Sequence, residues 1–164
     1  MRHIGIILLG LALLNTSTAC KKDNPSSSGA APKESNETTL QERQKLQGAW
    51  LVVSIVAGGK PVPDDKVKGL DLKYVFSADK MTVKGKNKPD KPGTYQVNPS
   101  TNPKQMDLHL SDGTIVKAIY ELQGDALKLC LNVDTKTGAD YPSEMASKVS
   151  PATDLLSLTR EKAP

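Results

Sequence analysis

The sequence has few of the residue types that build catalytic centres and covalent frameworks. Its 164 residues include two cysteines, Cys20 and Cys130, which excludes a disulfide framework unless those two pair. Of its two histidines one lies at position 3, so a multi-histidine metal centre is excluded as well. A serine or cysteine nucleophile would have His109 as its one available base. We therefore expect no enzymatic activity, no metal site and no cofactor.

Concentrated basic charge is also scarce. From Leu40 onward the chain has 18 basic and 15 acidic residues, a net charge of +3, which is too mild for nucleic-acid binding. The densest basic stretch is Lys80–Lys91, where five lysines are diluted by Asp90 and by the preceding Asp79. This stretch is either a hairpin tip that binds an anionic lipid or polymer, or a solvated turn. The lack of an interleaved aromatic residue favours the solvated turn.

The first nineteen residues have the pattern of a secretory leader. A basic start at Arg2 precedes an apolar run, Ile4–Leu14, that is shorter than the ~20 residues a membrane-spanning helix needs. Ser17-Thr18-Ala19 suits ordinary signal peptidase, whereas Ala19-Cys20 resembles a bacterial lipobox that has Ser17 where leucine is usual. We expect residues 1–19 to be a signal peptide and Cys20 to be lipidated, which would leave Cys130 as a single shielded thiol.

Residues 20–39 have no apolar periodicity and are rich in Ser, Pro, Asn, Gly and Lys. Such a stretch is typical of a disordered tether, the alternative being a frayed terminus. The folded domain is then residues 40–164, opened by a short helix with a capping box at Thr39-x-x-Glu42 and an end at Gly48. The protein is expected in the cell envelope, bound to a membrane through the lipid on Cys20; the alternative is a secreted or periplasmic soluble protein.

From Trp50 onward the apolar residues recur with a period of two, which predicts strands with one buried face. Eight strands follow in sequence, with no helical pattern between them. They are expected at the Trp50 segment, Leu70–Phe76, Met81–Val83, Tyr95–Val97, Met106–Leu110, Thr114–Leu122, Ala126–Val133 and Leu155–Arg160. The fold class is therefore all-β, an eight-stranded antiparallel up-and-down barrel preceded by a short N-terminal helix.

Alternation also predicts which side chains face the interior. Trp50, Val52 and Ser54 share one side of the first strand, and Arg160 shares a side with two leucines of the last. Arg160 can meet Trp50 only if the two ends of the sheet close on each other; the alternative is an exposed terminal arginine. Inward positions that could line a ligand cavity are Tyr74, Phe76, Met81, Tyr95, Met106 and Tyr120.

Three chemically notable residues are predicted to face outward. Asp107-x-His109 offers two ligands where a metal site needs more, so a solvated strand face is favoured. Cys130 alternates with inward leucines, and we interpret it as packing material beneath the N-terminal helix rather than as a reactive thiol.

Several short segments of the sequence resemble a known family. Gly48-Ala49-Trp50 resembles the opening of the calycin barrels, in which a tryptophan plugs one end and an arginine of the last strand lies over it. Together with Asn102–Leu108 and Ile119–Leu131, it resembles a lipocalin-like domain family of unassigned function found mainly in planctomycete bacteria. That family usually has Arg-Pro where this chain has Tyr141-Pro142. The resemblance implies a calycin-type barrel in an exported protein and implies no reaction.

Two functions remain open from the sequence. One is a membrane-tethered binding module that holds a small apolar ligand within a monomeric barrel. Its mouth would lie opposite Trp50, near Val56–Lys60 and Ser77–Lys80. The alternative is a solid barrel that acts in the envelope through its outside, with Lys80–Lys91 or the loop Asp134–Asp154 as the contact.

Lipidation of Cys20 is directly testable by growing the producing bacterium with labelled palmitate. We expect the label in the wild-type protein and its loss in Cys20→Ala, because diacylglycerol is attached to that sulfur. A wild-type protein without label, or a variant that keeps it, would show a protein processed by ordinary signal peptidase.

Overall fold

The computed structural model describes residues 33–133 and 140–162, with the side chains of the first helix given from residue 36. The predicted signal peptide, Cys20, most of the tether and residues 134–139 lie outside these ranges. Among the described helices, none is long and apolar enough to cross a membrane. The elements are α1 (Lys33–Leu46), β1 (Gly48–Ala57), β2 (Lys60–Pro61), α2 (Asp64–Leu70), β3 (Lys73–Ser77), β4 (Lys80–Gly85), β5 (Lys88–Asn98), β6 (Lys104–Leu110), β7 (Ile115–Gln123), β8 (Ala126–Asn132), β9 (Lys148–Val149) and β10 (Ala152–Arg160).

The strands form one antiparallel sheet that closes on itself. Its order is β2-β1-β3-β4-β5-β6-β7-β8-β10-β9, and β1 pairs with both β3 and β10. The two-residue strands β2 and β9 are additions to β1 and β10, so eight strands make the barrel wall. The predicted eight-stranded up-and-down barrel with a preceding helix is confirmed. Closure pairs the edge strands and leaves no long edge for another chain to extend.

Helix α1 begins earlier than the capping-box pattern predicts. It starts at Lys33, so the segment predicted as tether overlaps its first half, and Thr39 lies inside the helix rather than at its cap. The helix ends at Leu46, which is fully buried at one end of the barrel. Gly48 follows with φ +115°, a conformation that favours glycine and lets the chain turn from helix into β1.

A second helix interrupts the strands, where the sequence predicted none. The seven residues of α2 are too few to produce a helical period, and the alternation that begins at Leu70 predicts a strand. Leu70 instead ends α2, and Asp71 follows in the left-handed conformation with its N–H donating to the carbonyl of Lys68. The strand starts only at Lys73.

Helix α2 closes the end of the barrel opposite α1. Val67 is 1 % exposed and belongs to the same core as Trp50. Ala57, Val62 and Leu72, on the segments that flank α2, are half-buried and pack against this core. The mouth predicted near Val56–Lys60 is therefore covered by a helix.

A β-bulge in β1 changes which residues face the core. Trp50 and Val52 pair with β10 in regular register, and the register then shifts so that Ser54 opposes Ser157. The extra residue, Val53, is 46 % exposed, and Ile55 becomes the next buried side chain. The prediction that Ser54 faces inward is wrong, because one inserted residue reverses the facing of everything after it.

The contribution of α2 can be measured through Val67. We expect Val67→Ala to lower the free energy of unfolding by about 2 kcal/mol, because two buried carbons are lost from a closed core. Urea denaturation of the variant should be compared with Lys66→Ala, an exposed neighbour on the same helix that should change stability by less than about 0.5 kcal/mol. Equal effects of the two substitutions would mean that α2 does not seal the barrel.

Candidate functional site

The residues predicted to line a ligand cavity all lie in the barrel interior. None of Tyr74, Phe76, Met81, Tyr95, Met106 and Tyr120 is more than 6 % exposed. The ring centroids of Phe76 and Tyr95 are 4.8 Å apart in an edge-to-face contact, and those of Tyr74 and Phe76 are 6.4 Å apart. Burial raises the pKa of Tyr74 to about 12. All six belong to one buried cluster in the barrel interior, and their role as ligand-lining residues stays a prediction.

Trp50 and Arg160 meet at the α1 end, where the first and last strands pair. The Arg160 guanidinium carbon lies 4.1 Å from the centroid of the Trp50 ring. The indole Nε1 donates to the carbonyl of Leu46 at 2.8 Å. Arg160 Nη2 donates to the carbonyl of Lys45 at 2.6 Å, and Nη1 donates to that of Gln47. Two side chains from the wall thus satisfy the carbonyl groups that the end of a helix leaves unpaired.

Glu42 is a buried charge that the sequence did not lead us to expect. Its side chain is 6 % exposed, and its Oε1 accepts from Lys104 Nζ at 2.5 Å. The Tyr120 hydroxyl is 3.4 Å from the same oxygen, and Lys45 Nζ is 3.7 Å from the other. Burial, reinforced by the nearby carboxylate, raises the pKa of Tyr120. The capping-box pattern assigned Glu42 to the helix start, whereas in the fold it ties α1 to β6.

The turn between β3 and β4 also lies at the α1 end. Gln47 Oε1 accepts from the Ala78 N–H at 2.6 Å, and its Nε2 donates to the Tyr95 hydroxyl at 2.9 Å. That hydroxyl donates in turn to the Ala78 carbonyl at 3.1 Å. The prediction that Ser77–Lys80 borders an open mouth opposite Trp50 is therefore wrong. Strand direction places this turn beside α1.

Cys130 faces outward, as alternation predicted, but its cover is different. It is fully buried beside Ile119 beneath the segment that follows β8, not beneath α1. Its thiol donates to the carbonyl of Ala146 at 3.3 Å, and Thr153 Oγ1 donates to the same oxygen at 2.9 Å. Burial raises the pKa of the Cys130 thiol, so the reactive thiolate is disfavoured.

The outward face of β6 and β7 is less solvated than predicted. Asp107 Oδ1 accepts from the Tyr141 hydroxyl at 2.6 Å, and Oδ2 accepts from Lys117 Nζ at 2.7 Å. Hydrogen bonding to Asp107 raises the pKa of Lys117. His109 lies two residues along on the same face and is half-buried. The ranges 33–133 and 140–162 contain no group of three His, Cys, Asp or Glu side chains arranged to hold a metal ion.

Two clefts of the described surface lie on the outside of the barrel. One, of about 430 Å³, lies between α1 and β5 beside Arg43, whose Nη2 donates to the Tyr95 carbonyl at 3.2 Å. Another, of about 270 Å³, lies where the hairpin of β4 and β5 meets the segment after α2. The sequence drew attention to the lysines of this hairpin but did not indicate a cleft.

No protein-family model matches the chain, and neither a curated protein nor a solved structure is significantly similar to it. The closed barrel of eight antiparallel strands in up-and-down order is compatible with a lipocalin-like fold. Membership of the planctomycete lipocalin-like family remains a prediction, based on the sequence segments Gly48–Trp50, Asn102–Leu108 and Ile119–Leu131.

The contact between Trp50 and Arg160 predicts coupled stabilities. Trp50→Ala should lower the free energy of unfolding by about 3–5 kcal/mol as a large core truncation. Arg160→Ala should cost about 2 kcal/mol, because charged hydrogen bonds to helix carbonyls are lost. The double variant should lose about 1 kcal/mol less than the sum of the two single losses, and this difference is the contribution of the cation–π contact.

Thr159→Ala, an exposed change on the same strand, is the control. Strict additivity would contradict a closing role for this pair.

Proposed function

We propose that this chain is an exported, membrane-tethered barrel that acts through its outer surface and carries no ligand in its interior. The observation that supports this most is the burial of all six predicted lining residues within one hydrophobic cluster. A drug-sized ligand needs a cavity of roughly 300 Å³ or more, and an eight-stranded barrel is only just wide enough for side chains to fill. A ligand inside this barrel would have to displace Phe76 or Tyr95 from a contact of 4.8 Å.

Closure at both ends supports the same proposal. Leu46 of α1 is fully buried at one end, and Val67 of α2 is 1 % exposed at the other. Entry of a ligand would require one helix to leave its contacts with the core. At the α1 end this also means breaking the hydrogen bonds of Trp50 and Arg160 to the helix carbonyls.

The remaining parts of the proposal come from the sequence. The leader, the small residues before Cys20 and the polar stretch after it favour export and a lipid anchor on Cys20. We propose a monomer with no catalytic role, no cofactor and no nucleic-acid partner. Candidate contact surfaces are the lysine-rich hairpin of β4 and β5 and the segment between β8 and β10.

A filled interior predicts that the protein takes up no apolar probe. Titration with a fluorescent fatty acid should give no saturable signal in the wild-type protein. A parallel titration with benzene supplies the positive controls. Phe76→Ala and Met106→Ala should bind benzene and the wild-type protein should not, because truncating a buried side chain leaves an apolar cavity of about that size. Native mass spectrometry of protein purified from its own host should give the mass of the chain and its lipid alone. Stoichiometric probe uptake, or a further co-purifying small molecule, would contradict the proposal in favour of the binding module.

A further inference from the structure

The hairpin of β4 and β5 presents a basic surface that is exposed in the described part of the chain. Its five lysines, Lys80, Lys84, Lys86, Lys88 and Lys91, are all exposed. Lys84 Nζ lies 3.1 Å from Asp90, whereas Lys86, Lys88 and Lys91 form no ion pair within the described part of the chain. Their charge is therefore available to an external anion.

An apolar cleft lies between these lysines. Its volume is about 270 Å³, and the half-buried Leu72 and Val83 form its apolar floor. The rest of its lining includes the exposed residues Lys84, Lys88, Pro89 and Lys91. Leu72 and Val83 are held in place because they also pack against the barrel core.

The hairpin tip is fixed against α2. The Lys86 N–H donates to the Leu70 carbonyl at 2.7 Å, which joins the tip to the end of the helix. Leu70 itself remains 38 % exposed beside the cleft. The cleft is thus part of a larger surface in which apolar and cationic groups alternate.

We infer that this surface docks on an anionic lipid bilayer. Lysine ammonium groups attract the phosphates of anionic headgroups, and an apolar floor accepts the glycerol and first acyl carbons beneath them. Lysines alone would suit any polyanion, so the apolar floor is the feature that selects a lipid. The inference rests on the proposed function, in which the outside of the barrel is the working part.

Binding to lipid vesicles tests this inference. The sample is the chain from residue 20 onward with Cys20→Ser, so that neither leader nor lipid contributes. It should sediment with vesicles containing phosphatidylglycerol and not with pure phosphatidylcholine, and higher salt should weaken the binding. A lysine near an anionic membrane contributes about fivefold in affinity, so Lys88→Gln/Lys91→Gln should reduce binding about 25-fold.

A matched control separates position from net charge. Lys128→Gln/Lys162→Gln removes the same charge from exposed residues outside the hairpin and should change binding less than twofold, since neither lysine borders the cleft. Circular dichroism should show that both double variants keep the barrel. Equal losses in the two variants would overturn the inference, because general attraction of the basic protein would then explain the binding.

Two further outcomes are decisive. An environment-sensitive dye on Pro89→Cys should brighten on anionic vesicles, whereas the same dye on Lys162→Cys should not. Binding to soluble dextran sulfate as tight as to the vesicles would overturn the lipid assignment in favour of a general polyanion surface. Absence of vesicle binding together with absence of interior probe uptake would reject the lipid surface and leave the proposed function standing.

Discussion

The rest of the structure depends on how the barrel wall holds the carboxyl end of α1. Trp50 in the first strand and Arg160 in the last both donate to carbonyl groups at that end, and the guanidinium lies over the indole. A helix end leaves carbonyl groups without partners, and burying them unpaired would be costly. Because β1 and β10 are neighbours only in a closed sheet, the same contacts plug one end and favour closure.

The closed wall leaves the interior to side chains. Aromatic rings and methionines occupy it, and the second helix seals the far end with Val67. The buried carboxylate of Glu42 also has a structural role, because it accepts hydrogen bonds from Lys104 and Tyr120. Removing Lys104 would take away the cation at 2.5 Å and leave Lys45 at 3.7 Å, so we interpret Glu42 as a contact that holds α1 to the barrel wall.

The outside of the barrel is covered unevenly. The segment around Ala146 lies over the outer face of β8 and buries Cys130, and Tyr141 does the same for Asp107 on β6. The Tyr141 hydroxyl donates to Asp107 at 2.6 Å. Within residues 33–133 and 140–162, the five lysines of the hairpin of β4 and β5 remain exposed.

The sequence by itself determined the wall of the barrel and the facing of most of its residues, because alternation is a local property that each strand expresses alone. The sequence also indicated that Arg160 could contact Trp50 if the two ends of the sheet closed on each other. Tertiary structure alone decided the rest. The helix α2 is too short to carry a period and depends on burying Val67. The bulge at Val53 reversed the facing that alternation gave to Ser54. The partner of Glu42 is Lys104, which lies 62 residues away in the chain. Cys130 is covered by the segment around Ala146, which has no periodic pattern in the sequence. Each of these depends on contacts between residues distant in the chain, which a local pattern does not record.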